Sequence, residues 1–382
     1  MLSFLCLKIL KHEKNLLSGN RCFSEKQSRK QKCTVMKMTA DTTKRWCAFV
    51  GLGTLILFLA LVLLVFLVDP YEIYHRAFFY IPPYKSTTQS YSNAGVAKSF
   101  SYDSVIIGTS ETENCKPSVY EKALGGSFVK LCMNGGTARD HAKMMEMAFR
   151  THTIKRVVYG VDLFSFVLYY NNQKMKTPDY LYDANLPNDV QYLLNRDVLI
   201  TEIPEALRHP GREEDAAQRD RMYAWDPPEM PDPQSLRVSL PDPLPEQQAV
   251  DYVLIDMNLS YNLIPFLEAN PDTQFDLFFP PYSLSYWRDR ANHGYLEEDM
   301  AFRNRIMEAV LSYKNVHLYD FAICEEWITD YSLYYDLRHY LSRVNDQMAT
   351  KIASSEYLVS TPEEGKVNTE KLKNLVLDRT IP

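Results

Sequence analysis

Basic residues are scarce once the first forty-five positions are passed. Thirty-one lysines and arginines then face forty-five acids, whereas residues 1–45 hold eleven bases and three acids. A larger part so short of positive charge excludes nucleic acid as its ligand. Cysteine is thin as well: four of the seven lie at or before position 47, which leaves Cys115, Cys132 and Cys324. Three cysteines cannot build a disulfide framework, and their spacing suits neither zinc nor an iron–sulfur cluster. A Cys115–Cys132 bridge would fit an oxidising compartment, but an odd count is explained more simply by small buried side chains. Neither a metal nor a cofactor is expected, and no internal repeat is evident.

What is present is one long apolar run, Trp46–Val68, without a single charge. As a helix rising about 1.5 Å per residue it would extend roughly 35 Å, against an apolar bilayer core of about 30 Å. The run exceeds a signal-peptide core, and Asp69-Pro70-Tyr71 after it lacks a small-residue cleavage pattern. The expectation is an uncleaved single-pass anchor in the cell membrane. The basic segment 1–45, ending in Lys44-Arg45, belongs on the cytoplasmic side, which puts everything after Val68 outside. Tyr71, Tyr74, Phe78, Phe79 and Tyr80 would settle at the membrane interface. Residues 1–35 are polar, basic and aperiodic, and Met36 or Met38 would make a more ordinary start, so that stretch is read as an over-extended frame.

Residues 69–101, whose 81–101 part is rich in Ser, Thr, Pro and Tyr, are expected to form a spacer leading to a folded domain over 102–358. Within that domain, β-branched and aromatic runs predict strands at Ser104–Ile107, Phe128–Cys132, Arg156–Tyr159, Gln274–Phe279 and Asn315–Tyr319. Helical patterns fall between them, near 138–150, 247–269 and 296–313. Alternation of this kind implies an α/β fold: a parallel sheet of about five strands with helices on both faces. After Ser342, the stripe Val344, Met348, Ile352 marks a last helix packed on the sheet. Nine prolines between Pro204 and Pro245 rule out a continuous helix or central strand there. The segment 205–247 is read as an inserted excursion, a lid or a disordered loop. Residues 359–382 are expected to be a loosely docked polar tail.

Ligands of an open parallel sheet meet the loops at the carboxyl ends of its strands. Three such loops stand out: Gly108-Thr109-Ser110-Glu111, Asn134-Gly135-Gly136-Thr137 and Gly160-Val161-Asp162. Gly108 permits a sharp turn that presents Ser110 where free backbone N–H groups can hold negative charge. Far along the chain, Asp336-Leu337-Arg338-His339 precedes the last helix. There His339 could deprotonate Ser110 while Asp336 fixes its tautomer. The other histidines beyond the anchor lack such a setting. Phe278-Phe279-Pro280-Pro281-Tyr282-Ser283 could line the cleft, and Glu111, Arg139 and Arg338 could bind a polar acceptor.

The order of these four blocks, covering roughly residues 102–355, resembles the SGNH (GDSL-like) hydrolases. It is most similar to membrane-anchored bacterial members such as the DltD-like teichoic acid D-alanylation proteins and the alginate acetylation proteins. The resemblance implies a three-layer α/β/α flavodoxin-like fold, with Ser110 as nucleophile, His339 as base and Asp336 as its orienting carboxylate. It also implies an oxyanion hole from the N–H of Ser110 and that of Gly135 or Gly136. Two positions depart from the pattern. Thr109 stands where the family motif has Asp, and Asp162 occupies the place of an Asn donor. An ionised Asp cannot donate, so Asn134 would have to supply the side-chain donor. The implied activity is that of a serine esterase or O-acyltransferase on acyl esters of cell-envelope or exported polysaccharide. The bilayer, an acylated glycan and a membrane acyltransferase would be its partners. The alternative is a catalytically inactive surface binding or assembly protein that kept the fold.

Overall fold

Short strands buried on both faces organise the chain around one sheet. The computed structural model describes residues 25–227 and 229–380, with side chains from 41 onward. Of the basic segment, residues 1–24 lie outside the described residues. The strands are β1 Ser104–Ile107, β2 Phe128–Lys130, β3 Arg156–Gly160, β4 Gln274–Phe279, β5 Val316–Asp320 and β6 Leu358–Val359. They run in the order β2-β1-β3-β4-β5-β6. All pairings are parallel except β5 with β6. The order 2-1-3-4-5 is doubly wound, so the chain reverses direction across the sheet at β1 and β3 and opens a crevice beyond their carboxyl ends.

Odd and even residues of each strand face opposite layers, and both layers are apolar. Val105, Ile107, Val157, Tyr159, Phe275 and Leu277 share one cluster with the methionines of the helix at Ala138–Thr151. Ile106, Val158, Phe278 and Tyr319 share the other with Val344, Met348 and Ile352. The expected stripe of the helix after Ser342 therefore does pack on the sheet. Cys115, Cys132 and Cys324 are free and buried, in keeping with their use as small core side chains.

Helix α1, Glu25–Val68, contains the long apolar run. Its part Asp41–Val68 contains an eighteen-residue stretch of mean hydropathy 3.0 and is the one helix among the described residues long and apolar enough to cross a membrane. Leu55, Leu59 and Leu63 expose more than half their surface.

Residues 64–382 form one compact unit, and it is larger than the sequence suggests. The expected spacer is part of it: helix α2, Gln89–Ser99, buries eight of its eleven residues. Small side chains explain both facts. Ser90, Ser92, Asn93, Ala94, Gly95 and Ala97 give no apolar periodicity, yet they let backbones approach closely. A Cβ on Gly95 would lie 1.7 Å from the Tyr71 carbonyl oxygen. Two of the supposed interface anchors, Tyr71 and Tyr80, are core residues, whereas Phe78 and Phe79 stay exposed. Asp69 holds the junction, accepting from the N–H groups of Tyr74 and His75 and from the Tyr192 hydroxyl at 2.6, 3.1 and 2.8 Å.

The carboxyl end corrects two further expectations. The sheet has six strands, because Leu358 and Val359 pair with Tyr319 and Leu318 as an antiparallel edge. A two-residue strand is too short to show a period. The polar tail is ordered as the helix Pro362–Leu377, capped by Thr361, whose hydroxyl accepts from the Glu364 N–H at 3.1 Å. Its buried stripe is Gly365, Thr369, Leu372 and Val376, only half of it apolar.

The proline-rich excursion is neither a continuous helix nor a disordered loop. Its short helix Asp215–Arg221 docks on the sheet edge through polar groups. Asp220 accepts from the N–H and hydroxyl of Ser118 at 2.9 and 2.5 Å, and Arg219 donates to the Phe128 carbonyl at 2.7 Å. The ammonium of Lys130, buried in β2, donates to the carbonyls of Glu113 and Asp220 at 2.7 and 3.0 Å. Burial lowers that lysine to about 8.

Candidate active site

Beyond β1 the chain turns through Gly108 into a short helix, Ser110–Glu113. Glycine is needed there because a Cβ would meet the Thr112 side chain at 2.7 Å, and φ is +155°. Thr112 closes the turn, its hydroxyl donating to the Thr109 carbonyl at 2.8 Å. Ser110 is the first helical residue, so its N–H has no intrahelical acceptor.

The partner loop comes from the other end of the chain. Residues 334–340 fold back on themselves through a bridge between Tyr334 and Tyr340, and the Tyr335 N–H donates to the His339 carbonyl at 2.9 Å. At the apex Asp336 makes an Asx turn, with Oδ1 accepting from the N–H groups of Arg338 and His339 at 2.8 and 2.7 Å. The β4 exit anchors the loop from below, the Ser283 hydroxyl donating to the Leu337 carbonyl at 2.6 Å.

This folding brings Ser110 and His339 together, 229 positions apart: Oγ lies 2.9 Å from Nε2. On the far side of the imidazole, Nδ1 is 2.7 Å from Asp336 Oδ2. A proton on Nδ1 directed at the carboxylate leaves the Nε2 lone pair for the serine hydroxyl. Burial pushes the Asp336 carboxyl up, but hydrogen bonds from the His339 ring, the His339 N–H and the Arg338 N–H outweigh it and hold the group at about 2. Asp336 is therefore ionised across the physiological range.

Ser110, Asp336 and His339 line a cavity of about 460 Å³ together with Asn134 and Glu113. Aromatic rings from Tyr84, Tyr223, Trp225 and Tyr335 form its walls. Trp225 meets His339 edge-on, with ring centroids 5.3 Å apart at 89°. Sequence reasoning did not find Tyr84, Tyr223 or Trp225. They come from the supposed spacer and from the excursion, neither of which carries a motif.

The remaining expected site residues divide. Asn134 is in the cavity, with its N–H donating to Gln89 Oε1 at 2.7 Å and its side-chain amide 3.4 Å from Glu113 Oε2. Gly135 takes the left-handed φ of +58° that glycine favours. Gly136 is not available as an oxyanion donor, because its N–H is given to the Met133 carbonyl at 2.7 Å. Arg139 points to Glu146 at 2.7 Å on its own helix. Tyr282 is buried against Tyr286 and Trp287, outside the cavity wall. Arg338 lies over the Phe164 ring, with Nε 3.3 Å from Glu111 Oε1.

Glu111 and Asp162 sit underneath, both fully enclosed. Thr109 donates its hydroxyl to Asp162 Oδ2. Both Glu111 oxygens and Asp162 Oδ1 have no hydrogen-bond partner among the described residues, although Glu111 Oε1 lies 3.5 Å from His339 Nε2. Burial, then the Asp162 charge, drives Glu111 well above the carboxylate range. Burial drives Asp162 to about 6, against Thr109, Arg338 and His339. An acid whose folded pKa is raised contributes stability that is complete below its unfolded value near 4 and lost as pH rises through about 6. Asp162→Asn cannot ionise, so its loss of stability between pH 5 and pH 8 should be smaller than that of the parent chain. Guanidinium unfolding at both pH values measures this, and equal losses in the two chains would remove Asp162 as the source.

Among the described residues no group of three or more His, Cys, Asp or Glu side chains is placed to hold a metal ion. No family model matches the chain, and neither does any curated protein. A solved structure from Streptococcus pneumoniae, described as a platelet activating factor, aligns with 71% of this chain and 92% of its own at 10% identity and a TM-score of 0.36.

Proposed function

We propose that this chain is a membrane-anchored serine esterase or O-acyltransferase of the SGNH type, with its catalytic domain outside the cytoplasm. The observation that carries the reading is the unbroken relay Ser110 Oγ, His339 Nε2, His339 Nδ1, Asp336 Oδ2, opening into a cavity.

In this reading His339 takes the Ser110 proton as Oγ attacks the ester carbonyl. The developing oxyanion is held by the N–H of Ser110, with Gly135 N–H and the second amide hydrogen of Asn134 as further donors. Collapse breaks the ester C–O bond, and the leaving alcohol takes the proton back from His339. Water or a sugar hydroxyl, deprotonated in turn by His339, then attacks the acyl-serine and regenerates the free hydroxyl. The aromatic walls suit a flat-faced sugar ring, and Asn134 and Glu113 offer it polar partners. Acyl esters of cell-envelope or exported polysaccharide fit that cavity and the side of the membrane assigned by the basic segment.

A fluorophosphonate probe tests the reading directly. Covalent labelling of the parent chain and none of Ser110→Ala is the expected result. Failure of the parent chain to label, at a probe concentration that saturates a control serine esterase, would count against catalysis and in favour of a binding protein.

A further inference from the structure

A second group of apolar side chains is exposed where α1 ends, and nothing in the proposed chemistry uses it. Leu186, Val190, Leu194, Ile200 and Leu207 project from the short helical turns of residues 186–208, with Leu186 at 72% and Ile200 at 57% exposure. Their buried neighbours Tyr192, Val198 and Ile203 hold these turns on the unit, so the exposed set is fixed rather than loose.

The segment that carries these side chains reaches the last turn of α1 through packed rings. Phe66 packs on Tyr74, ring centroids 5.4 Å apart, and Tyr74 packs on Tyr192 at 6.0 Å; Tyr192 sits between Val190 and Leu194. The next residue, His75, also meets Phe66: its Nε2 is 2.7 Å from the Phe66 carbonyl, and its ring packs on Phe78 at 5.5 Å. Phe78 and Phe79 are exposed. They are joined to the far end of the patch, since Gly211 N–H donates to the Phe79 carbonyl at 3.0 Å and Ile81 N–H to the His209 carbonyl at 2.8 Å. Exposed apolar residues of both segments thus lie within one or two side chains of the last turn of α1. Arg196 and Arg208 are exposed among them, together with Asp197.

We propose that this surface is a lipid-contacting foot: Phe78, Phe79 and the apolar residues of 186–208 insert into the outer interface of the bilayer that α1 crosses. The proposal rests on the reading of α1 as a membrane span. A water-exposed apolar patch of this extent is unfavourable, and a neighbouring bilayer removes that cost without a second protein. The two arginines can reach phosphate groups while their stems lie along the apolar surface.

Depth-dependent quenching tests this on the full chain reconstituted in phosphatidylcholine vesicles. In a background with Cys6, Cys22, Cys33 and Cys47 changed to serine, a small environment-sensitive fluorophore is placed singly at Leu194→Cys, Ile200→Cys, Leu57→Cys or Val367→Cys. Lipids brominated on the acyl chain should quench the labels at 194 and 200 about threefold more than the label at exposed Val367, with Leu57 quenched most. Quenching at 194 and 200 no greater than at 367, while Leu57 is quenched, would overturn the foot and leave the span intact. No quenching at Leu57 would overturn the span and the foot with it.

Discussion

Replacing His339 with alanine is expected to lower turnover of an activated short-chain ester by about 10⁴- to 10⁶-fold, the scale seen when a serine nucleophile loses its base. Among the described side chains, His339 Nε2 alone is in hydrogen-bond contact with Ser110 Oγ, at 2.9 Å. Glu111, the nearest other candidate base, faces Arg338 and His339 instead, and burial raises its carboxyl well above the usual carboxylate value. Asp336→Asn should cost about 10⁴-fold by favouring the wrong tautomer while leaving the loop in place, because the amide oxygen can still accept the Arg338 and His339 N–H groups. Because the Asp336 carboxyl titrates at about 2, its contribution is complete above the ordinary carboxylate value and is lost only as pH falls through 2. A decline in activity between pH 7 and 4 would then belong to other groups. Steady-state rates on purified variants with unchanged near-ultraviolet circular dichroism give the answer. A His339→Ala chain within tenfold of the parent would end the case for the triad.

The parts of this site that could be read in advance share a property: each is announced by residues with few other uses at that place. Gly108 directly after a β-branched run marks the turn that presents Ser110, and Asp336-x-x-His339 carries its own carboxylate at the right offset. The sheet was readable for the same reason, since Ser104–Ile107, Gln274–Phe279 and the other central strands are β-branched, aromatic or otherwise apolar at most positions. What was hidden is held by shape and by polar bonds rather than by hydrophobic period. Helix α2 packs through Gly95 and short side chains, and its Gln89 and Asn93 reach Glu113 and the Cys132 carbonyl at 2.6 and 2.8 Å. Tyr223 enters the cavity wall in a left-handed conformation, φ +61°, with its hydroxyl donating to Asn93 Oδ1 at 2.8 Å. A scan for apolar stripes sees neither. The depth of Glu111 and Asp162 was equally invisible, because exposure is the usual condition of acids, and only the fold buries them beneath the loop carrying His339.

Removing Asp320 should produce a large loss of stability, about 3–5 kcal/mol for Asp320→Ala. Arg303 and Asp320 are both fully enclosed, with Nη2 2.7 Å from Oδ2, and the guanidinium lies over the Phe279 ring at 4.6 Å. Truncating the acid leaves a cation that cannot reach water and whose Nε and Nη1 already lack partners among the described residues. Restoring neutrality should matter more than restoring the bond. The double variant Arg303→Met, Asp320→Val removes both charges and is expected to recover to within about 1 kcal/mol of the parent, a coupling that a double-mutant cycle isolates. Tryptophan fluorescence during guanidinium unfolding in detergent measures Asp320→Ala and the four chains of the cycle (the parent, Arg303→Met, Asp320→Val and the double variant), and Asp320→Ala costing under about 1 kcal/mol would show that the site is hydrated. The consequence extends to catalysis through Phe279. It ends β4, and the turn after it carries Ser283, whose hydroxyl holds the Leu337 carbonyl at 2.6 Å in the loop that aims His339. Asp320→Ala should therefore lose activity at guanidinium concentrations that leave the double variant working, although neither residue reaches the cavity.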